Sequence, residues 1–300
     1  SISYILGQLG GPIGQIQSLL TQYQMFKVSM ARLSEVQRKE NEQQGAQEMQ
    51  IDKFRHEILF SEVSFKYEGS FSPNIFEGLS ISFPANKMTA IVGNSGSGKT
   101  TLLKLIMGFY YPQKGKITID ETPLNEIDIN SWRNCCGVVL QDGKIFSGTI
   151  TENITLGSEI IDEKKIETVS KLACIDEFIQ KQPGKYNMKI GSTGIELSQG
   201  QKQRILIARA LYKDPQLLIF DEATSSLDTV NERRIMDNLK YYFMGRTVIV
   251  VAHRLSTVVN ADNIIFLENG KIAEQGTHKT LVAKKGKYYE LIKNQLELEN

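Results

Sequence analysis

Between the apolar run MTAIV and the helix-patterned run TLLKLIMGFYY lies GNSGSGKT, residues 93–100. The spacing G-x-x-x-x-G-K-T, after a strand and opening a helix, is the pattern of a phosphate-binding turn. Glycines at 93, 96 and 98 let successive backbone N–H groups converge on one centre, and the helix N-terminus adds a partial positive charge. The expected cradle is Gly93, Asn94, Ser95, Gly96, Ser97, Gly98, Lys99, Thr100 and Thr101. Within it Lys99 reaches the β/γ-phosphates, and the Thr100 hydroxyl takes a Mg²⁺ position.

A phosphate loop needs a second strand to hold the metal. LLIFDE, 217–222, supplies four apolar residues and then two acids where the strand leaves the core. Asp221 is expected to hold Mg²⁺ through water, and Glu222 to polarise an attacking water. His253 ends the run TVIVVAH and Gln141 follows GVVL. Both are expected at the same sheet edge, where ligands gather in open α/β sheets. For Gln141 that suggests a metal or water contact. For His253 it suggests a γ-phosphate contact, although a histidine after a strand is often structural. Tyr67 closes the strand-like VSFKY and is either a base-stacking aromatic or an ordinary strand tyrosine.

The surrounding chain alternates strands and helices. ILFSEVSFKY and NIFEGLSISF show period-two alternation, as in an antiparallel layer, whereas LLIF and TVIVV are short apolar runs of the buried parallel kind. Asn269-Gly270 between two strand-like runs is a strong hairpin signal. Residues 1–34 carry Ile13, Ile16, Leu20, Tyr23, Phe26, Met30 and Leu33 at helical spacing, and 35–56 is charged and Gln-rich, as in a linker. No apolar run approaches the ~20 residues that span a bilayer. A net charge of +1 gives no electrostatic reason to expect nucleic acid. Cys135, Cys136 and Cys174 have neither zinc spacing nor a disulfide framework, which suggests a reducing compartment. The chain begins at Ser1 rather than Met, so it is expected to be a fragment or a processed chain.

Over about residues 57–290 these features resemble the nucleotide-binding domain of ATP-binding cassette (ABC) transporters. The resemblance rests on Tyr67, GNSGSGKT, Gln141, LSQGQ at 197–201, LLIFDE, SSLD at 225–228, and His253. It implies an α/β fold with a P-loop NTPase (RecA-like) core built on a parallel sheet. An antiparallel β layer and an inserted helical subdomain at about 143–212 complete the ATPase domain, 57–300, and a helix precedes it. It implies Tyr67 stacking on adenine, Glu222 as catalytic base, and His253 positioning the γ-phosphate and water. Gln141 would sense Mg²⁺, Asp228 would lie at a dimer interface, and Ser198, Gly200 and Gln201 would close over the nucleotide of a second copy. ATP and Mg²⁺ are the implied cofactors.

QDGKIFSGTITENI, 141–154, is similar to exporters that carry membrane and nucleotide domains in one chain, most of all exporters of peptides and bacteriocins, some with an N-terminal peptidase. On that likeness 1–34 is the cytoplasmic end of the last membrane helix, at the inner face of a bacterial cell membrane. The implied partners are a second copy, head to tail, and the membrane domain of the same polypeptide, which alone meets the cargo. Two positions depart from the family pattern: Gln199 replaces the first glycine of the usual LSGGQ, and Ser192 stands where exporters often carry glutamate. A soluble ABC ATPase outside transport, or a nucleotide-binding regulatory module, are the competing readings. Ser198 and Gln201 also fit a plain helix capping box, so LSQGQ reads both as a helix start and as a ligand site.

Overall fold

The computed structural model describes residues 2–37, 49–51, 53–69, 72–158, 160–192, 194–223, 229–252 and 255–298. It divides into two units, residues 1–47 and 48–300, each taken by itself. The first is one helix, Ile2–Gln37. Its residues Ile13, Ile16, Leu20, Tyr23, Phe26, Met30 and Leu33 are exposed. Among the described residues no helix is long and apolar enough to cross a membrane.

The second unit is organised by a six-stranded sheet in the order Lys271–Gly276, Asn263–Glu268, Met88–Val92, Thr247–Val251, Leu217–Asp221, Cys136–Val139. All neighbours are parallel except the first pair, which Asn269-Gly270 joins as an antiparallel hairpin. Every residue of LLIFD and TVIVV is buried, because both faces of this sheet are covered. Successive side chains on a strand point to opposite faces. Leu218, Phe220, Val248 and Val250 therefore enter one core with the helix Gln199–Tyr212. Leu217, Ile219, Ile249 and Val251 enter the other, with Leu102, Leu105 and Trp132.

That second core is closed by a four-stranded antiparallel sheet, Phe76–Pro84, Glu57–Phe65, Lys114–Ile119 and Thr122–Pro123. KGKITI at 114–119 carried too short an apolar alternation to stand out in the sequence. Contacts of this unit begin before Glu57. Phe54 N–H donates to Gln216 Oε1 at 2.8 Å, and the Phe54 ring meets Trp132 edge-on at 6.1 Å. Residues 143–212 hold helices Ile150–Ile154, Glu163–Leu172, Asp176–Gln180 and Gln199–Tyr212, with a short antiparallel pair, Gly148–Thr149 and Lys189–Ile190.

The helix after the phosphate loop is shorter than its apolar pattern. It runs Lys99–Ile106 rather than on to Tyr111. Trp132 Nε1 donates to its last carbonyl, Ile106 O, at 2.8 Å, and Arg133 donates to Met107 O and Gly108 O just beyond it at 3.2 and 3.1 Å. Carbonyls at a helix end need partners. The left-handed Gly108 (φ 66°) lets Phe109 N–H reach Lys104 O and Gly108 N–H reach Leu105 O, and the neighbouring helix Ile129–Asn134 supplies Trp132 and Arg133 for the next ones.

Candidate functional site

The strand Met88–Val92 delivers the chain into the glycine loop at the sheet edge. Gly98 has φ 103° and caps the helix with no side-chain hydrogen bond, and a Cβ there would lie 2.8 Å from the Phe76 ring. Lys99 is 6% exposed, and its Nζ donates to the carbonyls of Gly93 and Asn94, both at 2.8 Å. Burial lowers its pKa, and the nearby charges of Glu222 and Asp221 oppose that shift. The hydrogen bonds of the ammonium among the described residues thus go to loop carbonyls, oxygens of the kind a phosphate also offers.

Asp221 ends the strand Leu217–Asp221 and is 2% exposed. Burial raises its carboxyl pKa, partly offset by a hydrogen bond from the Thr100 hydroxyl. Its Oδ1 is buried with no hydrogen-bond partner among the described residues. A buried carboxylate oxygen without a donor, beside a threonine hydroxyl, suits a hydrated Mg²⁺, so the residues fit the metal that the sequence implies. Among the described residues no cluster of three or more His, Cys, Asp or Glu could hold an ion unaided.

Glu222 follows with φ 49°, a left-handed conformation that costs a non-glycine residue about 1–2 kcal/mol. Its N–H donates to Val251 O at 3.1 Å, and its Oε2 accepts from Gln141 Nε2 at 2.8 Å. This bend turns the carboxylate out of the strand towards Gln141. Residues Ile75, Ser95, Gly96, Gly98, Lys99, Thr100, Thr101, Gln141 and Glu222 line one open cleft of about 510 Å3. The structure therefore gathers the loop, Gln141 and Glu222 in one place, with Asp221 outside the lining but bonded to Thr100, which belongs to it.

Other expected residues lie elsewhere. Tyr67 is not in the cleft wall. Its hydroxyl is 3.0 Å from Thr101 Oγ1, and its ring meets Phe65 and Tyr110 edge-on, both at 5.1 Å. Ser198, Gly200 and Gln201 are also absent from the cleft lining. Ser198 Oγ accepts from Gln201 N–H at 3.2 Å while Gln201 Oε1 accepts from Ser198 N–H at 2.9 Å, a reciprocal capping box. Gln199 is exposed. Ser192 pairs with the Ser147 hydroxyl at 2.6 Å. Asp228 and His253 lie outside the described residues. Sequence reasoning missed Ile75, whose only signal was an apolar residue just before a strand.

A glycine loop carrying a buried lysine, a metal-ready aspartate and a carboxylate at the cleft rim define a phosphate-loop nucleotide hydrolase on an α/β sheet. The sequence model described as "ABC transporter" matches residues 76–225. The chain is 40% identical to the Alpha-hemolysin translocation ATP-binding protein HlyB of Escherichia coli over 96% of its own length and 41% of that protein. It is 39% identical to the Leukotoxin translocation ATP-binding protein LktB of Mannheimia glucosida over 99% of its own length and 42% of that protein. A solved structure of a bacterial Atm1-family ABC exporter with ATP bound superposes with a TM-score of 0.83 at 35% identity, covering 91% of this chain and 48% of that one. The chain belongs to the ABC transporter family, as an ATP-binding ATPase domain, and spans about two-fifths of the length of the curated relatives it matches.

Proposed function

We propose that this chain is the motor of an exporter, hydrolysing ATP in pairs at the cytoplasmic face of a bacterial inner membrane. The observation that carries the reading is the cleft itself. It presents Lys99, Thr100 and a Gln141-held Glu222 to one side of a ligand, while the chain's own Ser198 and Gly200 contribute nothing to its walls. A second copy, docked head to tail, would supply them.

The residues divide the chemistry. Lys99 exchanges its two loop carbonyls for phosphate oxygens, and the uncapped N–H groups at Gly98 and beyond bind the same anion. Thr100 and Asp221 would hold Mg²⁺, which supplies charge neutralisation on the phosphates. Gln141 releases or orients Glu222, whose carboxylate accepts the proton of the attacking water. On this reading Tyr67, tied to Thr101 through its hydroxyl, would stack on the adenine, Asp228 would face the partner copy and His253 would contact the γ-phosphate. Residues 1–34 would continue a membrane helix of the same polypeptide, with 35–56 as linker. A polypeptide cargo is supported by the names of the relatives, which translocate a hemolysin and a leukotoxin.

Glu222→Gln keeps the shape of the site and removes the base. ATP turnover should fall by about 10²–10⁴-fold, the usual worth of general-base catalysis, with ATP affinity retained and an ATP-bound dimer visible by analytical ultracentrifugation. Turnover at the wild-type rate would remove Glu222 from this role.

A further inference from the structure

The hairpin turn Asn269-Gly270 has no part in the function just described, yet it touches the phosphate loop. Gly270 N–H donates to the Ser97 carbonyl at 3.2 Å. Gly270 has φ 71°, and a Cβ at that position would lie 1.8 Å from the Ile75 carbonyl oxygen. In the same hairpin the Leu267 carbonyl comes so close to Gly93 that a Cβ there would lie 2.0 Å away. Hairpin, phosphate loop and the approach to the strand Phe76–Pro84 thus meet backbone to backbone. Ser97 is buried at 3% exposure and its hydroxyl has no hydrogen-bond partner among the described residues, so no side-chain bond there is seen to anchor the loop.

In a trans peptide the carbonyl oxygen and the following N–H point in opposite directions. Holding the Ser97 carbonyl towards Gly270 therefore aims the Gly98 N–H the other way, and Gly98 lines the nucleotide cleft. We propose that Gly270 is a positioning residue for ATP binding: its N–H fixes the 97–98 peptide plane so that the loop's donors face the phosphates before the ligand arrives. The inference rests on the cleft being the ATP site.

Gly270→Ala tests it, with Gly115→Ala as control. Gly115 has φ 76°, and a Cβ there would lie 2.3 Å from Glu62 O, a comparable backbone clash in the antiparallel sheet. Both variants should lose stability. With ATP as the titrant, below both melting points, Gly270→Ala should bind at least about tenfold more weakly than Gly115→Ala, as one misaligned hydrogen bond to a charged ligand predicts. KM should rise with kcat nearly unchanged. A smaller difference in affinity, or a loss confined to kcat, overturns the proposal. Should Gly270→Ala not fold, amide exchange of the wild-type chain decides. The Gly270 amide should exchange more slowly at saturating ATP, and an unchanged rate overturns the coupling. ATP binding by the wild-type chain is measured first, since its absence would sink the site assignment rather than the role of Gly270.

Discussion

Two helices in this molecule begin with a small, polar stretch, and they begin differently. Lys99–Ile106 starts at Gly98 with no side-chain cap, flanked by a buried lysine hydrogen-bonded to two loop carbonyls. Gln199–Tyr212 starts at Ser198 with a complete capping box. The first end keeps its backbone donors available, and its surroundings carry charges at an energetic cost. The second satisfies itself within four residues and must open its cap to serve a ligand. On the proposed function, the first end binds alone and the second only when a partner copy brings its nucleotide.

The sharpest way to break this contrast is Lys99→Met. Single-chain ATP affinity should fall about a hundredfold, the scale of a lost charge-assisted contact of up to ~3 kcal/mol, and calorimetric titration reads it. A retained affinity would mean that the capped end, or another element, carries the phosphates.

Next comes Asp221→Asn. Burial raises the Asp221 carboxyl above its ordinary value of 3.8. Between the unfolded and folded values the native chain thus holds more proton than the unfolded one, and the stability of the nucleotide-free chain declines as pH rises through that window. Asparagine should remove that decline and raise the apo melting temperature while abolishing Mg²⁺-dependent turnover. Melting curves against pH check the first part, and an unchanged decline would show that the carboxylate is not the group paying for burial.

Ser198→Ala should leave single-chain affinity intact and cost about 1 kcal/mol of stability, as loss of an N-cap does, or roughly 2–4 °C in melting temperature for a unit of this size. It should also abolish ATP-dependent pairing. Loss of affinity in the unpaired chain would place Ser198 in its own site. The smallest effect is expected from Gln199→Gly, because the exposed Gln199 side chain lies outside the capping box. ATPase activity should change less than about tenfold, or ~1.4 kcal/mol, and a larger gain would mean that the glutamine restrains the motor.

Much of this was legible in the residues. The phosphate loop, the strand carrying Asp221 and Glu222, the Asn269-Gly270 hairpin and the Ser198 capping box are local patterns, each set by a few neighbours in sequence. What escaped notice is non-local. The helix after the loop turns off at the left-handed Gly108, itself a local signal, but Trp132 and Arg133, which take the carbonyls of Ile106 and Met107, stand some 26 residues on. The strand Lys114–Ile119 is a strand because Glu57–Phe65 pairs with it. Ile75 reaches the cleft because the hairpin and loop converge on its backbone. Tyr67 was open between base stacking and a plain strand residue, and its hydroxyl contact with Thr101 depends on packing that no spacing rule encodes.

The indole bonded to the end of the phosphate-loop helix is the chain's single tryptophan, fully buried and edge-on to Phe54. Its N–H holds the last carbonyl of the helix whose first residue is Lys99. Any axial shift of that helix as its front end grips a nucleotide stretches or tightens this bond at the back. The molecule therefore carries a native optical gauge: indole emission, free of interference from a second tryptophan, should register nucleotide capture in real time without a label.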